Sequence, residues 1–109
     1  MAGKFELKVA KNGQYHFNLL AGNGQIILSS EMYESKSAAE NGIASVQKNS
    51  GDDSRYDRRT SAKGDPYFVL KSTNGQEIGR SEMYSSASAM ENGIASVKAN
   101  AAVAAVLEA

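Results

Sequence analysis

The sequence of 109 residues contains no cysteine, no tryptophan, one proline and one histidine. Without cysteine the chain has no disulfide, no thiolate nucleophile and no cysteine-ligated metal. A single histidine, His16, forms neither a histidine cluster for zinc nor a histidine pair for proton transfer. We therefore expect no catalytic residue, no metal site and no cofactor, and hence no enzyme.

An excess of one charge is also missing, because 12 lysines and arginines balance 12 aspartates and glutamates. The chain as a whole makes no field that attracts polyanions or an anionic membrane, so nucleic-acid binding would need a local basic patch. No apolar run approaches the roughly 18 residues of a membrane span, and the N-terminus lacks the apolar core of a signal peptide. These absences predict a cytoplasmic protein with no membrane partner.

The chain contains an internal duplication, which emerges when the sequence is shifted by 51 residues. Between residues 23–49 and 74–100, 19 of 27 aligned positions are identical, including the stretch ENGIASV. Each unit is too small to bury a good core alone. We therefore predict one domain of two repeats, residues 3–53 and 54–109, which share a core about a pseudo-twofold axis within a monomer.

Each repeat begins with alternating polarity, which is typical of half-buried strands. In the first repeat the alternation predicts strands over residues 4–9, 15–19 and 25–29, and residues 55–62 should open the second repeat. Asn23-Gly24 between two strands predicts a type I′ hairpin turn. We expect the apolar set to face the core: Phe5, Leu7, Phe17, Leu19, Ile27, Phe68, Leu70 and Ile78.

A helical period follows the strands in each repeat, with apolar residues at Ala39, Ile43 and Val46 in the first. Ser37 and Glu40 fit a capping box, but Ser35 fits an N-cap of a slightly longer helix, and both alternatives are open. A glycine inside each helix costs roughly 1 kcal/mol relative to alanine. We expect Gly42, and likewise Gly93, to allow close approach of the helix backbone to the sheet or to the other helix.

The segments SEMYESKSAAENGIASVQKN and SEMYSSASAMENGIASVKAN each follow a hairpin that carries NGQ. With these motifs in tandem, the whole chain resembles the YegP-like family of small, mostly bacterial proteins, whose domain has no known function. The resemblance implies an α+β fold of two tandem β3-α-β units, which share one antiparallel sheet, exchange their last strands and place two helices on one face. It supplies no activity for any residue.

The C-terminal segment from Val103 to Leu107 allows two interpretations. Its alanine content favours a helical extension, because alanine has the highest helix propensity. The family resemblance instead implies a strand that returns to the first repeat, and we adopt the strand.

Two tyrosines and a histidine are the first site candidates. Tyr33 and Tyr84 each follow Glu-Met at a strand-to-helix junction, where they either face a ligand or pack as a hydrophobic staple. We favour packing, because apolar residues at the start of a helix usually pack. No motif places a carboxylate or nucleophile beside His16, so we expect a histidine on the sheet surface.

The one basic concentration in the sequence is Arg55, Arg58 and Arg59. Strand alternation sends Arg58 to the face opposite the other two, so the three do not serve one surface on a regular strand. Protection of a sheet edge is the simpler interpretation, and nucleic-acid contact is the alternative.

Together these features predict a non-enzymatic interaction module that meets a partner protein or nucleic acid through its exposed sheet face. The candidate binding surface consists of Lys8, His16, Arg59 and Tyr67. The alternative is a nucleic-acid-binding or small-molecule-binding stress accessory protein.

Overall fold

A computed structural model of the protein describes residues 3–108, which form one seven-stranded sheet and two long helices. The strands are β1 (Lys4–Val9), β2 (Tyr15–Leu20), β3 (Ile26–Ser29), β4 (Tyr56–Thr60), β5 (Pro66–Lys71), β6 (Glu77–Arg80) and β7 (Ala105–Glu108). The helices are α1 (Lys36–Asn49) and α2 (Ala87–Asn100), and short 3-10 turns span Asp53–Arg55 and Ala101–Val103. The α+β class and the duplicated unit predicted from the sequence are confirmed.

The strand order in the sheet is β4-β5-β6-β3-β2-β1-β7, so the two repeats lie side by side. Ser29 of β3 pairs antiparallel with Arg80 of β6, and these two residues occupy equivalent positions in the repeats. An antiparallel pair of equivalent residues places the pseudo-twofold axis between them. The two repeats are therefore joined edge to edge at the centre of one continuous sheet.

The strands that follow the helices cross to the other repeat, as the resemblance implies. β4 follows α1 and pairs with β5, whereas β7 follows α2 and pairs with β1. The prediction of a fully antiparallel sheet is wrong for β7, which runs parallel to β1. The reason is the connection: α2 carries the chain across the sheet, and such a crossover permits a parallel pair where a hairpin does not.

The core lies between the sheet and both helices, on one face of the sheet. All eight strand residues expected to point inward are buried in a single cluster, which also contains Ile43 and Ile94 of the helices. Ile27 and Ile78 face inward because each sits at a shift in strand register, where the extra residue is turned toward the core. The opposite face of the sheet carries no helix and is called the helix-free face below.

Both helices begin at the earlier of the two predicted caps. The Ser35 hydroxyl accepts a hydrogen bond from the Ala38 amide at 3.1 Å, and the Ser86 hydroxyl accepts one from the Ala89 amide at 3.0 Å. In each helix the cap hydroxyl thus satisfies one of the first amides, which have no partner within the helix. Glu91 is consequently not a capping-box acid and is free to reach a neighbouring strand.

The hairpin turns differ from the predicted type I′. In the turn at Asn23-Gly24 only the glycine has a positive φ, of 85°, and no residue other than glycine has a positive φ in residues 3–108. A type I′ turn needs positive φ at both central residues. The Gly24 amide donates to the Ala21 carbonyl at 2.9 Å. The hairpin is therefore a type I turn whose last residue, Gly24, has the left-handed backbone conformation.

Candidate functional site

The four residues of the predicted binding surface lie on the helix-free face as two separate pairs. Lys8 of β1 is directly opposite His16 of β2, and Arg59 of β4 is directly opposite Tyr67 of β5. The pairs occupy equivalent positions in the two repeats, and strands β3 and β6 lie between them. Neighbouring strands are about 4.8 Å apart, so at least about 14 Å separates His16 from Tyr67.

The pair in the second repeat belongs to a cluster of alternating charges. The Arg59 Nε donates to Asp57 Oδ2 at 2.8 Å, and Lys71 Nζ lies 3.4 Å from the same oxygen. The Arg59 hydrogen bond is the main cause that lowers the pKa of Asp57, so this carboxylate is ionised at neutral pH. Arg80 lies over the Tyr67 ring, 5.6 Å from its centre, where the cation meets the ring electrons.

The pair in the first repeat has fewer charged contacts than the pair in the second. Lys8 Nζ lies 3.5 Å from Glu6 Oε1, and His16 is half-buried beside it. Leu20, on the same face, is 8% exposed. The two ends of the helix-free face therefore differ in character, and the second repeat supplies both guanidinium groups of this face, Arg59 and Arg80, together with the ring of Tyr67.

A depression of about 400 Å³ lies between the two pairs, where β3 meets β6. Ser29 and Arg80 line it on the pseudo-twofold axis, and Glu31 and Glu82 line it from equivalent positions in the two repeats. Glu77 also lines the depression, and its Oε2 lies 3.3 Å from Arg80 Nε. The carboxylate of Glu77 is therefore already paired. The centre of the helix-free face is thus concave and acidic.

The arginines of the basic concentration do not share a surface. Arg58 points to the helix side, where it donates to Glu91 Oε1 and Asp53 Oδ1, each at 3.0 Å. Lys98 Nζ joins this cluster at 2.8 Å from Asp53 Oδ1. Arg55 lies in the 3-10 turn, 3.4 Å from Asp52. The cluster ties β4 to α2, which agrees with the edge-protection interpretation.

Tyr33 and Tyr84 pack against the glycines of the helices. The Tyr33 ring is stacked on Phe17 at 6.1 Å, and the Tyr84 ring is stacked on Phe68 at 6.2 Å. A Cβ placed on Gly42 would lie 2.8 Å from Tyr33 Cζ. The methionines of the same motif do not pack with them, since Met32 and Met83 are 43% and 49% exposed.

The serine that precedes each Glu-Met-Tyr has a structural role that sequence reasoning missed. The Ser81 hydroxyl accepts a hydrogen bond from the Phe68 amide at 2.9 Å and donates to the Glu82 carbonyl at 2.8 Å. Ser30 makes the equivalent bonds to Phe17 and Glu31, both at 2.8 Å. Each serine thus continues the strand pairing where β3 or β6 ends.

Sequence reasoning also missed two clefts on the helix side of the sheet. Asn41 of α1 lines one cleft and Asn92 of α2 lines the other. Both asparagines are exposed and belong to the identical ENGIASV stretches. The available signal was that exposed polar residues, which the core does not require, are nevertheless the same in both repeats.

Two classes of site are not seen in the described part of the chain. Across residues 3–108, no three histidine, aspartate or glutamate side chains are placed to share a metal ion. Neither of the two described helices is long and apolar enough to cross a bilayer.

The chain is similar over most of its length to small bacterial proteins of about the same length. It is 64% identical to the UPF0339 protein YegP of Yersinia pestis, over 90% of this chain and 88% of the relative. The solution structure of yegP from Escherichia coli, a protein of unknown function, is similar with a TM-score of 0.94 and 51% identity, over 99% of this chain and 93% of that one. A UPF0339 protein from Shewanella oneidensis matches with a TM-score of 0.93 and 47% identity, over 99% and 92% of the two chains.

The YegP-like resemblance is confirmed by these relatives. The model of a family described as a domain of unknown function, DUF1508, matches residues 10–57 and again residues 61–108. The chain therefore belongs to the DUF1508 family and carries two copies of its domain.

Proposed function

We propose that this protein is a non-enzymatic binding module that recognises a partner protein through the helix-free face of its sheet. The observation that carries the proposal is the grouping of Arg59, Tyr67 and Arg80 on that face, beside a central depression. Tyrosine and arginine are the side chains most enriched at the energetic centres of protein interfaces.

The charges on this face favour a protein partner over a nucleic acid. Arg59 and Lys71 share Asp57, and Arg80 is paired with Glu77. Acidic groups among the cations repel phosphates but complement a partner that carries both signs of charge. A concave acidic centre is suited to a lysine or arginine side chain of such a partner.

A capture experiment tests the proposal. Immobilised wild-type protein would be compared with Arg59→Glu and Tyr67→Ala for retention of protein from a lysate of the host cell. We expect both variants to lose the captured protein, because each removes one member of the pair formed by Arg59 and Tyr67, the cation in one variant and the aromatic ring in the other. Lys48→Glu is the matched control, since Lys48 is exposed on the helix side of the molecule. Lys98 is unsuitable as a control, because it is bound to Asp53.

Retention of nucleic acid at two salt concentrations distinguishes a protein partner from a nucleic-acid partner. The nucleic-acid outcome requires two results: the wild-type protein retains RNA or single-stranded DNA that a higher salt concentration releases, and Arg59→Glu abolishes this retention. With both results, the partner is a nucleic acid and the proposal of a protein partner is wrong. If Lys48→Glu abolishes capture while the sheet variants retain it, the helices carry the interaction. Thermal unfolding of each variant establishes that the loss is not a folding defect.

A further inference from the structure

Two equivalent clefts lie on the helix side of the sheet, each between the helix of one repeat and a hairpin of the other. The first, of about 360 Å³, is lined by α1 and the hairpin that joins β5 to β6. The second, of about 210 Å³, is lined by α2 and the hairpin that joins β2 to β3. Neither cleft exists in a single repeat, so the duplication itself creates them.

The two clefts share six equivalent polar side chains, and the first cleft has Ser72, Thr73 and Glu77 in addition. In the first cleft the shared side chains are Glu31, Tyr33, Asn41, Ser45, Asn74 and Gln76. In the second they are Glu82, Tyr84, Asn92, Ser96, Asn23 and Gln25. Each residue of the first set is 51 positions from its counterpart in the second. The exposed helix residues Lys36 and Lys48, which line neither cleft, are replaced by Ala87 and Ala99 in the second repeat, whereas the cleft asparagine is the same in both.

Two of these side chains, those of Asn41 and Asn92, have no partner in the described part of the fold. Within residues 3–108, the side-chain amides of Asn41 and Asn92 make no hydrogen bond, although both are placed at the mouth of a cleft. Asparagine is a poor helix former, because its amide competes for backbone hydrogen bonds. Two exposed asparagines in the middle of two helices therefore need an explanation outside helix stability.

The chemistry of the lining selects a class of ligand. Amides and hydroxyls both donate and accept hydrogen bonds, which suits ligand hydroxyl groups. Glu31 and Glu82 add one exposed carboxylate to each cleft, and no lysine, arginine or histidine is among the lining residues. Glu77, which also lines the first cleft, is paired with Arg80 and adds little net charge.

The tyrosine hydroxyls are available as donors at neutral pH. Burial raises the pKa of Tyr33, and the nearby charge of Glu31 raises it further. Burial and Glu82 act in the same way on the pKa of Tyr84. Each cleft thus contains a protonated phenol close to a carboxylate, and this arrangement is repeated in both halves of the molecule.

We propose that the two clefts are equivalent binding sites for a small polar ligand that carries an ammonium group beside hydroxyl groups, which is the chemistry of an amino sugar or amino alcohol. The carboxylate binds the ammonium, and the asparagine, glutamine and serine side chains bind the hydroxyls. The cleft volumes fit a ligand of one sugar ring, and the chain binds two of them. The clefts open on the helix side of the sheet, but Glu31 and Glu82 also line the central depression of the partner surface. A bound ligand would therefore compete with a partner cation for these two carboxylates, whereas Asn41 and Asn92 belong to the clefts and not to the depression.

Titration with glucosamine, followed by NMR, tests this assignment on the intact chain. The backbone amides of Gly42 and Gly93 and the side-chain amides of Asn41 and Asn92 are the reporters, because they line the two clefts. We expect saturable shifts at both glycines and none at Gly13 or Gly64, which lie in hairpin turns and line neither cleft. Glucose has the same ring without the ammonium and should bind at least about tenfold more weakly, because the charge-assisted hydrogen bond is lost.

Charge-neutral variants assign the carboxylates. Glu31→Gln should weaken binding about tenfold at Gly42 while Gly93 responds as in the wild type, and Glu82→Gln should do the reverse. Glu34→Gln is the matched control, because Glu34 is an exposed acid that lines neither cleft. Equal binding of glucose and glucosamine, an equal effect of Glu34→Gln, or shifts confined to other parts of the chain would each overturn the proposal.

Discussion

Leu28 of the first repeat lies directly over Gly79 of the second, and the two residues occupy equivalent positions in the duplicated sequence. A Cβ placed on Gly79 would lie 2.6 Å from Leu28 Cδ2 and 2.7 Å from Leu28 Cγ. Leucine at both positions would place two side chains in one space beside the pseudo-twofold axis. The repeats have therefore diverged into a large residue on β3 and the smallest on β6, which fit each other.

Gly79→Ala should destabilise the protein by about 1–3 kcal/mol, because an added methyl overpacks a buried site. Leu28 is fully buried and belongs to the core cluster, so its side chain could move away only by displacing its neighbours. In a Leu28→Ala background the same change at Gly79 should cost much less, since the clashing atoms are gone. Urea unfolding of the two single variants and the double variant measures this coupling, and simple additivity would contradict it.

Gly42→Ala and Gly93→Ala should also destabilise, although alanine is favoured over glycine in a helix by about 1 kcal/mol. The new methyl groups would lie 2.8 Å from Tyr33 Cζ and 2.6 Å from Tyr84 Cζ. Both tyrosines are held in place by the stacked phenylalanines beneath them. Urea unfolding checks the prediction, with Gly51→Ala as control because a Cβ there meets nothing within 4 Å. A gain in stability in Gly42→Ala would show that the Tyr33 side chain moves away from the new methyl group.

Ser81→Ala should cost about 1–3 kcal/mol, because a buried hydroxyl that joins two backbone groups is lost. Ser81 is 6% exposed and bridges the Phe68 amide and the Glu82 carbonyl. Thermal or urea unfolding measures the loss, and the exposed Ser85→Ala provides the control. Equal stability of the two variants would exclude a structural role for the serine of the repeated motif.

Acid should lower the free energy of unfolding, in part by protonating Asp53. Hydrogen bonds from Lys98 and Arg58 lower the pKa of Asp53 to about 2. In an unfolded chain an aspartate has a pKa of about 3.9. A depressed pKa stabilises the folded state above the unfolded value, and this contribution is lost as the pH falls from about 4 to about 2.

Asp53→Asn should therefore make the unfolding free energy fall less steeply over that range of pH. Urea unfolding at a series of pH values measures the slope, and Asp65→Asn serves as the control because Asp65 lies outside the cluster. An unchanged slope in Asp53→Asn would mean that the ion pairs of Asp53 do not form in solution.

The alternation of apolar and polar residues was sufficient to predict the strands of the first repeat and the residues that they bury. Alternation predicted that Phe5 and Phe17 point inward, and the two rings meet at 5.9 Å in the core. Alanine content alone did not identify β7, because Ala105 is a poor strand residue that becomes a strand only through its pairing with β1. The turn type at Asn23 was missed because the same dipeptide fits two kinds of hairpin.

The candidate sites could also be predicted only in part from the sequence. Alternation placed Lys8, His16, Arg59 and Tyr67 on one face, which the strand registers confirm. It gave no information on the distance between the two pairs, because that distance depends on the strand order. The clefts at Asn41 and Asn92 were hidden for a related reason, since each is built from both repeats.

The sequence by itself determined the duplication, which is a repeat of 51 residues. It also determined the two helices, the strands other than β7 and the inward face of each, because these depend on periodicities of two to four residues along the chain. Only the tertiary structure decided the order of the strands, the parallel return of β7, the fit of Leu28 on Gly79 and the pairing of each helix with the other repeat's hairpin. These features join residues far apart in the sequence, and their energies depend on shapes that meet only once the two repeats have packed together.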